Sequence, residues 1–163
     1  KLFGRMKPIR SIIVGIVIIA LAMVVNLVPI FATGDLRAPW MGWIPVGSAV
    51  VVLTVALIAF GELFTSARTY EYIGACSPRG QEGLFLGYAS LPTAIGALVG
   101  GPVGAAIFNE IMMKGATKRP DGLLDPDPVQ NALGWLILMG IGLASAVGMA
   151  LYNRWIQKDK TPT

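Results

Sequence analysis

The sequence predicts an all-α membrane protein with four transmembrane helices. Of its 163 residues, 55% are hydrophobic and only 13% are charged, with a mean hydropathy of +0.68. A soluble domain of this length has no need of so much apolar surface and could not cover it with so few charges. Four stretches reach the roughly 20 apolar residues that cross a bilayer. We expect one helical unit over residues 1–163, with spans at 9–33, 44–73, 84–110 and 128–155.

The first span follows the basic stretch "GRMKPIR", in which Pro8 suits the first turn of a helix. Asn26 and Pro29 interrupt its second half, and Gly34 begins the loop that ends it. The stretch is too long and too interrupted for the core of a signal peptide. We therefore interpret it as a membrane span.

The second span opens at "PWMGWIP". Trp40 and Trp43 suit an aromatic belt at the outer interface, and Pro45 suits the start of a helix because its missing N–H is not needed there. The sequence stays compatible with helix as far as Ile73. Proline and glycine then predict a loop before the next span.

The third span contains several glycines and prolines. Gly96, Gly100 and Gly104 recur every four residues, which places them on one face where a neighbouring helix can approach closely. Pro92 and Pro102 each remove a helical hydrogen bond, so we expect a bend near one of them. Tight packing explains this pattern, and so does a helix that bends during a conformational cycle; both interpretations stay open.

The fourth span starts at "DPDPVQ". Asp127 is a natural N-cap, and Pro128 is a natural first-turn residue. Tyr152 and Trp155 suit the inner interface at the other end.

The distribution of basic residues predicts the orientation. An even number of spans places both termini on one side of the membrane, and that side receives nine bases against four on the other. The nine are Lys1, Arg5, Lys7, Arg10, Arg68, Arg79, Arg154, Lys158 and Lys160; the four are Arg37, Lys114, Lys118 and Arg119. The positive-inside rule then predicts cytoplasmic termini in a bacterial plasma membrane. The net charge of +4 thus reflects orientation, and we expect no nucleic-acid partner.

The residue inventory argues against catalysis. The chain has no histidine and a single cysteine, Cys76. This leaves no Ser-His or Cys-His nucleophile and none of the usual ligands of haem or catalytic zinc. We expect no catalytic residues, no metal and no cofactor.

Glu62 is the one charged residue of the second span's apolar stretch. Ser66 and Thr69 follow at i+4 and i+7, so the three form a polar stripe on one helix face, whereas Arg68 can pair locally with Glu71. A carboxylate inside a membrane bundle must be paired, protonated or hydrated, and by default it is functional. We expect the stripe to bind a proton or a cationic substrate group; a structural ion pair or a hydrated helix end is the alternative.

The stretch from Gly61 to Gly104 resembles the tenth helix, the following cytoplasmic loop and the eleventh helix of major facilitator superfamily transporters. It is most similar to the proton-dependent oligopeptide branch, through Glu62, the "YEY" of Tyr70–Tyr72 and the loop "SPRGQEGLFLG" of Ser77–Gly87. The upstream "FGRMKPIR" resembles the loop after the eighth helix. The resemblance implies that the four spans are helices nine to twelve of a major-facilitator-type bundle. It also implies that Glu62 engages the amino group of a peptide.

Two functions follow as hypotheses. In the first, the chain is a segment of a secondary-active transporter, proton-coupled and acting on a small polar or peptide-like solute. In the second, it is a transporter-derived structural subunit of a larger membrane complex. The chain opens at Lys1 in mid-loop, which suggests part of something longer. The expected partners are the bilayer, the remaining helices or other membrane subunits, and a small-molecule substrate.

Overall fold

Long helices make up most of the protein. The computed structural model describes residues 8–32, 39–40, 43–120, 122 and 124–158. Four helical stretches there are long and apolar enough to cross a membrane: Pro8–Phe31, Val46–Cys76, Glu82–Met112 and Pro128–Gln157. The prediction of four helices long and apolar enough to span a membrane is confirmed. Outside the described part lie the expected end of the first span at residue 33, the side chains of Trp40 and Lys158, and the bases Lys1, Arg5, Lys7, Arg37 and Lys160.

The first span consists of two helices, α1 (Pro8–Val25) and α2 (Val28–Ala32). Pro29 explains the break between them, because it has no N–H to donate and its ring clashes with the carbonyl four residues earlier. The chain turns at Asn26, whose backbone N–H donates to the carbonyl of Met23 at 3.3 Å. The interruption predicted from the sequence is therefore present.

The second span is α3 (Val46–Cys76). The prediction that it begins at Ile44 and Pro45 is wrong, because these two residues form strand β2 (Ile44–Pro45), which pairs antiparallel with β1 (Pro39–Trp40). Pro45 has ψ 137° and precedes the helix as its extended cap residue. The predicted continuation to residue 73 is confirmed. The helix ends before Ser77, which precedes a proline and so disfavours helical backbone.

The third span is interrupted twice. It contains α4 (Glu82–Tyr88), α5 (Ser90–Ala106) and a π-helical segment (Ile107–Met112). The break between α4 and α5 lies within a turn of Pro92, whose ring excludes the carbonyl four residues earlier. The π-helical segment begins shortly after Pro102, where a lost hydrogen bond favours a change of pattern. Both prolines therefore coincide with irregular helix, and a bend at either stays a prediction.

A short hairpin joins the third and fourth spans. Its strands are β3 (Thr117–Lys118) and β4 (Leu124–Asp125), paired antiparallel. The guanidinium of Arg119 donates to the carboxylate of Asp125 at 3.1 Å. Gly122 has φ 81°, a backbone conformation that side chains disfavour, and this allows the turn. Neither of the two hairpins was predicted from the sequence.

The fourth span is α6 (Pro128–Lys158). A carboxylate oxygen of Asp127 accepts hydrogen bonds from the N–H groups of Val129 and Gln130, both at 3.0 Å. These bonds satisfy two of the donors that the first turn leaves free. The predicted N-cap at Asp127 and start at Pro128 are confirmed.

α1 packs between α3 and α6, and glycines allow both contacts. A Cβ added at Gly15 would lie 2.7 Å from the carbonyl oxygen of Gly61 in α3. A Cβ added at Gly142 of α6 would lie 2.8 Å from the Cβ of Ala20. Farther along the chain, Asn26 shares a cavity with the first turns of both α3 and α6. α1 therefore runs antiparallel to each of its neighbours.

The third span joins this trio through its π-helical end. Ile107 and Met112 are buried there, and a Cβ added at Gly134 of α6 would overlap the side chain of Met112. α4 and α5 contain no buried residue. The third span thus presents most of its apolar surface away from the described helices.

Candidate functional site

The stripe predicted on the second span lies on α3 as expected, but its members differ in environment. Glu62 and Ser66 are exposed, whereas Thr69 is half-buried. The hydroxyl of Thr69 donates to the carbonyl of Thr65 at 2.7 Å, which uses up its proton within the helix. Thr69 therefore offers a ligand only an acceptor oxygen, while Glu62 and Ser66 present their polar groups outward.

The carboxylate of Glu62 has no hydrogen-bond or ion-pair partner among the described residues. Arg68, the nearest base along the helix, instead pairs with Glu71 three residues on, as the spacing predicted. The structural ion pair considered as an alternative for Glu62 is therefore not formed with Arg68. The described part of the chain leaves this carboxylate available to another group.

The neighbour of Glu62 is held tightly. Gly61 is buried, and a Cβ added to it would lie 2.6 Å from the Cγ1 of Ile19 in α1. Since successive helical residues point about 100° apart, the side chain of Glu62 leaves α3 beside the α1 contact and not toward it. The closest helix–helix contact of the second span therefore fixes the backbone that carries the carboxylate.

The position of Glu62 along α3 sets its expected depth in a bilayer. It lies sixteen residues after Val46, about 24 Å at ~1.5 Å per residue. A hydrocarbon core of about 30 Å that begins at Val46 would extend to about Ser66. Glu62 then lies inside the core near its far edge, and α3 continues for several turns beyond it. Glu62 therefore does not lie at the end of α3, which continues to Cys76.

The predicted packing face of the third span lacks a partner within the chain. Nothing lies within 4 Å of a Cβ added at Gly96, Gly100 or Gly104, among the described residues. The described helices therefore do not supply the contact that we expected for this face. The reason is that α5 approaches α6 only through the π-helical segment that follows it. A partner supplied by another chain, or by further helices, stays a prediction.

A second group of polar residues, which no sequence pattern indicated, lies at the opposite end of α3. Asn26, between α1 and α2, lines one open cavity of about 790 Å³ together with Ser48 of α3 and Asn131 of α6. Each is an ordinary polar residue near a helix end, so no local pattern distinguishes it. Only the packing of α1 between α3 and α6 brings them together.

The described residues contain no group of three or more His, Cys, Asp or Glu side chains that could hold a metal ion. Cys76 is exposed at the end of α3. Comparisons of the chain with protein-family models, with curated proteins and with solved structures found no match. The candidate site therefore rests on the chemistry of its own residues.

Proposed function

We propose that this chain is the four-helix part of a proton-coupled secondary transporter of the major-facilitator type, and that Glu62 binds the proton or a cationic group of the solute. The solute class is small and polar, or peptide-like. The supporting observation is a carboxylate without a described partner, carried inside a membrane-spanning helix. Such a group costs several kcal/mol in contact with lipid, so the surface around it is expected to face a polar cavity of the complete protein.

The chemistry follows from the single acid. A carboxylate that is alternately charged and neutral can hold an ammonium group in one state and release it in the other. Ser66, one turn further, supplies a neutral donor and acceptor for the same solute. Thr69 supplies an acceptor at the edge of the stripe. The basic residue count supports a bacterial plasma membrane and cytoplasmic termini for this transporter.

Glu62→Gln in the intact transporter tests this role. Glutamine keeps the shape and most of the hydrogen-bonding capacity but cannot titrate. In proteoliposomes with an inward proton gradient, we expect the variant to lose concentrative uptake of dipeptides or small polar solutes, while its insertion and helicity stay normal. Glu71→Gln is the matched control, because this acid lies on the same helix but is paired with Arg68. A Glu62→Gln variant that still concentrates solute with unchanged pH dependence would refute the proposal.

The unpartnered surface of α4 and α5 favours a second candidate, a structural subunit of a larger membrane complex. In that case the apolar surface and the three glycines of α5 are covered by other subunits, and Glu62 pairs with a base on one of them. The intact mass of the protein purified from its native membrane, together with its co-purifying chains, separates the two candidates. A single larger polypeptide supports the transporter, and a 17.2 kDa chain in a stable complex supports the subunit.

A further inference from the structure

The open cavity of about 790 Å³ lies where the break in the first span meets the first turns of α3 and α6. Its lining includes Asn26, Pro29, Pro45, Ser48, Asn131 and Trp135. None of the described lining residues is charged. The cavity thus combines neutral hydrogen-bonding groups with apolar walls, at the end of the bundle away from the chain termini.

Asn26 is a buried polar residue that the chain only partly satisfies. Asn26 is only 5% exposed to solvent. Its side-chain amide nitrogen donates to the carbonyl of Met23 at 3.4 Å, which is long for a hydrogen bond. Its carboxamide oxygen has no hydrogen-bond partner among the described residues. Every fully buried side-chain oxygen or nitrogen among those residues does have a partner. The oxygen of Asn26 is therefore not fully buried, and Asn26 is one of the residues that line the cavity.

Other residues that line this cavity carry hydrogen-bond donors without an acceptor among the described residues. The oxygen of Asn131 accepts from the indole N–H of Trp135 at 3.0 Å, which leaves the amide N–H groups of Asn131 free. The hydroxyl of Ser48 has no partner among the described residues. α3 begins after Pro45 without a side-chain cap, so its first-turn N–H groups lack that acceptor. Apart from the oxygen of Asn26, which is itself an acceptor, these polar groups at the cavity are donors that acceptor oxygens would satisfy.

We propose that this cavity binds the glycerol-ester region of a membrane lipid. Ester carbonyls are neutral acceptors, which suits a site rich in donors and without charged lining residues among those described. Ser48 and Asn131 lie in the first turns of their spans, the level at which a bilayer changes from hydrocarbon to headgroup. The volume falls within the roughly 300–1,000 Å³ of small-ligand pockets, enough for the two esters and the first methylenes but not for a whole lipid.

The same break in the first span also forms an apolar groove. Val24, Leu27, Val28 and Phe31 line this groove, which has a volume of about 420 Å³. The groove and the larger cavity are lined by the same broken segment of the first span, which contributes Asn26 and Pro29 to the larger cavity. The groove shares no described lining residue with the larger cavity, and its apolar walls suit contact with acyl chains.

Lipid binding to the full chain in detergent, measured by native mass spectrometry and by thermal shift, tests the proposal. The probes are dioleoylglycerol, its dialkyl-ether analogue without carbonyls, and triacetin as a soluble glycerol ester. We expect dioleoylglycerol to bind at least tenfold more tightly than the ether, because the ether offers no carbonyl to the donors. Equal binding of ester and ether lipids, or stabilisation by triacetin alone, would overturn the proposal.

Variants locate the site. Asn131→Leu and Ser48→Ala should each weaken dioleoylglycerol binding several-fold, whereas Asn153→Leu should not. Asn153 is the matched control because it lies at the other end of α6, where its oxygen accepts from Gln157 at 3.2 Å. Ser48→Ala removes only a hydroxyl, so it keeps the test valid if Asn131→Leu does not fold. Unchanged affinity in both cavity variants would contradict the assignment.

Discussion

The contact between α1 and α3 makes a sharp prediction about Gly15. An added Cβ would lie 2.7 Å from the carbonyl oxygen of Gly61 and 2.7 Å from the Cγ2 of Thr65, and 3.0 Å from the Cβ of Phe64. These distances are shorter than van der Waals contact, and the carbonyl oxygen belongs to a helix backbone that cannot move alone. Gly15→Ala therefore forces α1 and α3 apart.

The magnitude follows from two opposed terms. Replacing glycine by alanine inside a helix stabilises it by about 0.5–1 kcal/mol. Forcing a methyl group into a closely packed contact costs roughly 1–3 kcal/mol. Gly100→Ala isolates the first term, because nothing described lies within 4 Å of its added Cβ. We expect Gly15→Ala to be about 1–3 kcal/mol less stable than Gly100→Ala.

Equilibrium unfolding of the purified chain in mixed micelles, followed by circular dichroism at 222 nm during an SDS titration, measures this difference. Both variants should insert and reach the same helicity before the transition. Equal midpoints for Gly15→Ala and Gly100→Ala would refute the close approach of α1 to α3. A midpoint for Gly100→Ala below that of Gly15→Ala would show instead that the glycines of α5 are packed against another helix.

Two further predictions concern the orientation and the capping of the spans. A membrane-impermeant maleimide should label Cys76, which is exposed, in inverted membrane vesicles and not in intact cells; labelling of intact cells would reverse the orientation. Asp127→Ala should lower stability by about 1 kcal/mol in the same SDS titration, because two first-turn N–H groups lose their acceptor. Asp127→Asn, which retains a capping oxygen, should stay close to the parent, and a loss as large as that of alanine would show that charge rather than capping stabilises α6.

The sequence predicted features that depend on local chemistry. Hydropathy over about 20 residues reports a span because a bilayer requires that length whatever the helix packs against. Pro29 breaks a helix through its own ring, and Asp127 caps one through its own carboxylate, so neither needs tertiary information. The unexpected hairpins have two-residue strands, too short for any periodic pattern to appear.

Contacts between helices could not be predicted in the same way. The chain contains 20 glycines, and the spacing of Gly96 and Gly100 favoured a close helix contact, yet the close contacts involve Gly15 and Gly61. A four-residue spacing says what a helix face can accept. Which face meets a neighbour depends on the rotation and position of whole helices, which the sequence alone does not specify.

The candidate functional residues show the same difference between local features and contacts that depend on helix packing. Glu62 could be identified from the sequence, because a charge within an apolar stretch is visible in one dimension. The pairing of Arg68 with Glu71 was likewise a local expectation. The cavity residues Asn26 and Asn131 lie far apart in the chain and become one site only when α1 packs between α3 and α6.

Because α3 packs closely against α1, the hydration of Glu62 would depend on the thickness of the bilayer. Gly61 locks the two helices together, so α3 cannot slide along its axis by itself to follow a thinner or thicker membrane. With Val46 at one surface, Glu62 lies about 24 Å deep, close to the far boundary of a core of about 27 Å and well short of one of about 32 Å. Shorter acyl chains would then leave the carboxylate within reach of water. Longer chains would enclose it in hydrocarbon, so lipid composition would change the surroundings of Glu62 without any contact to a specific lipid.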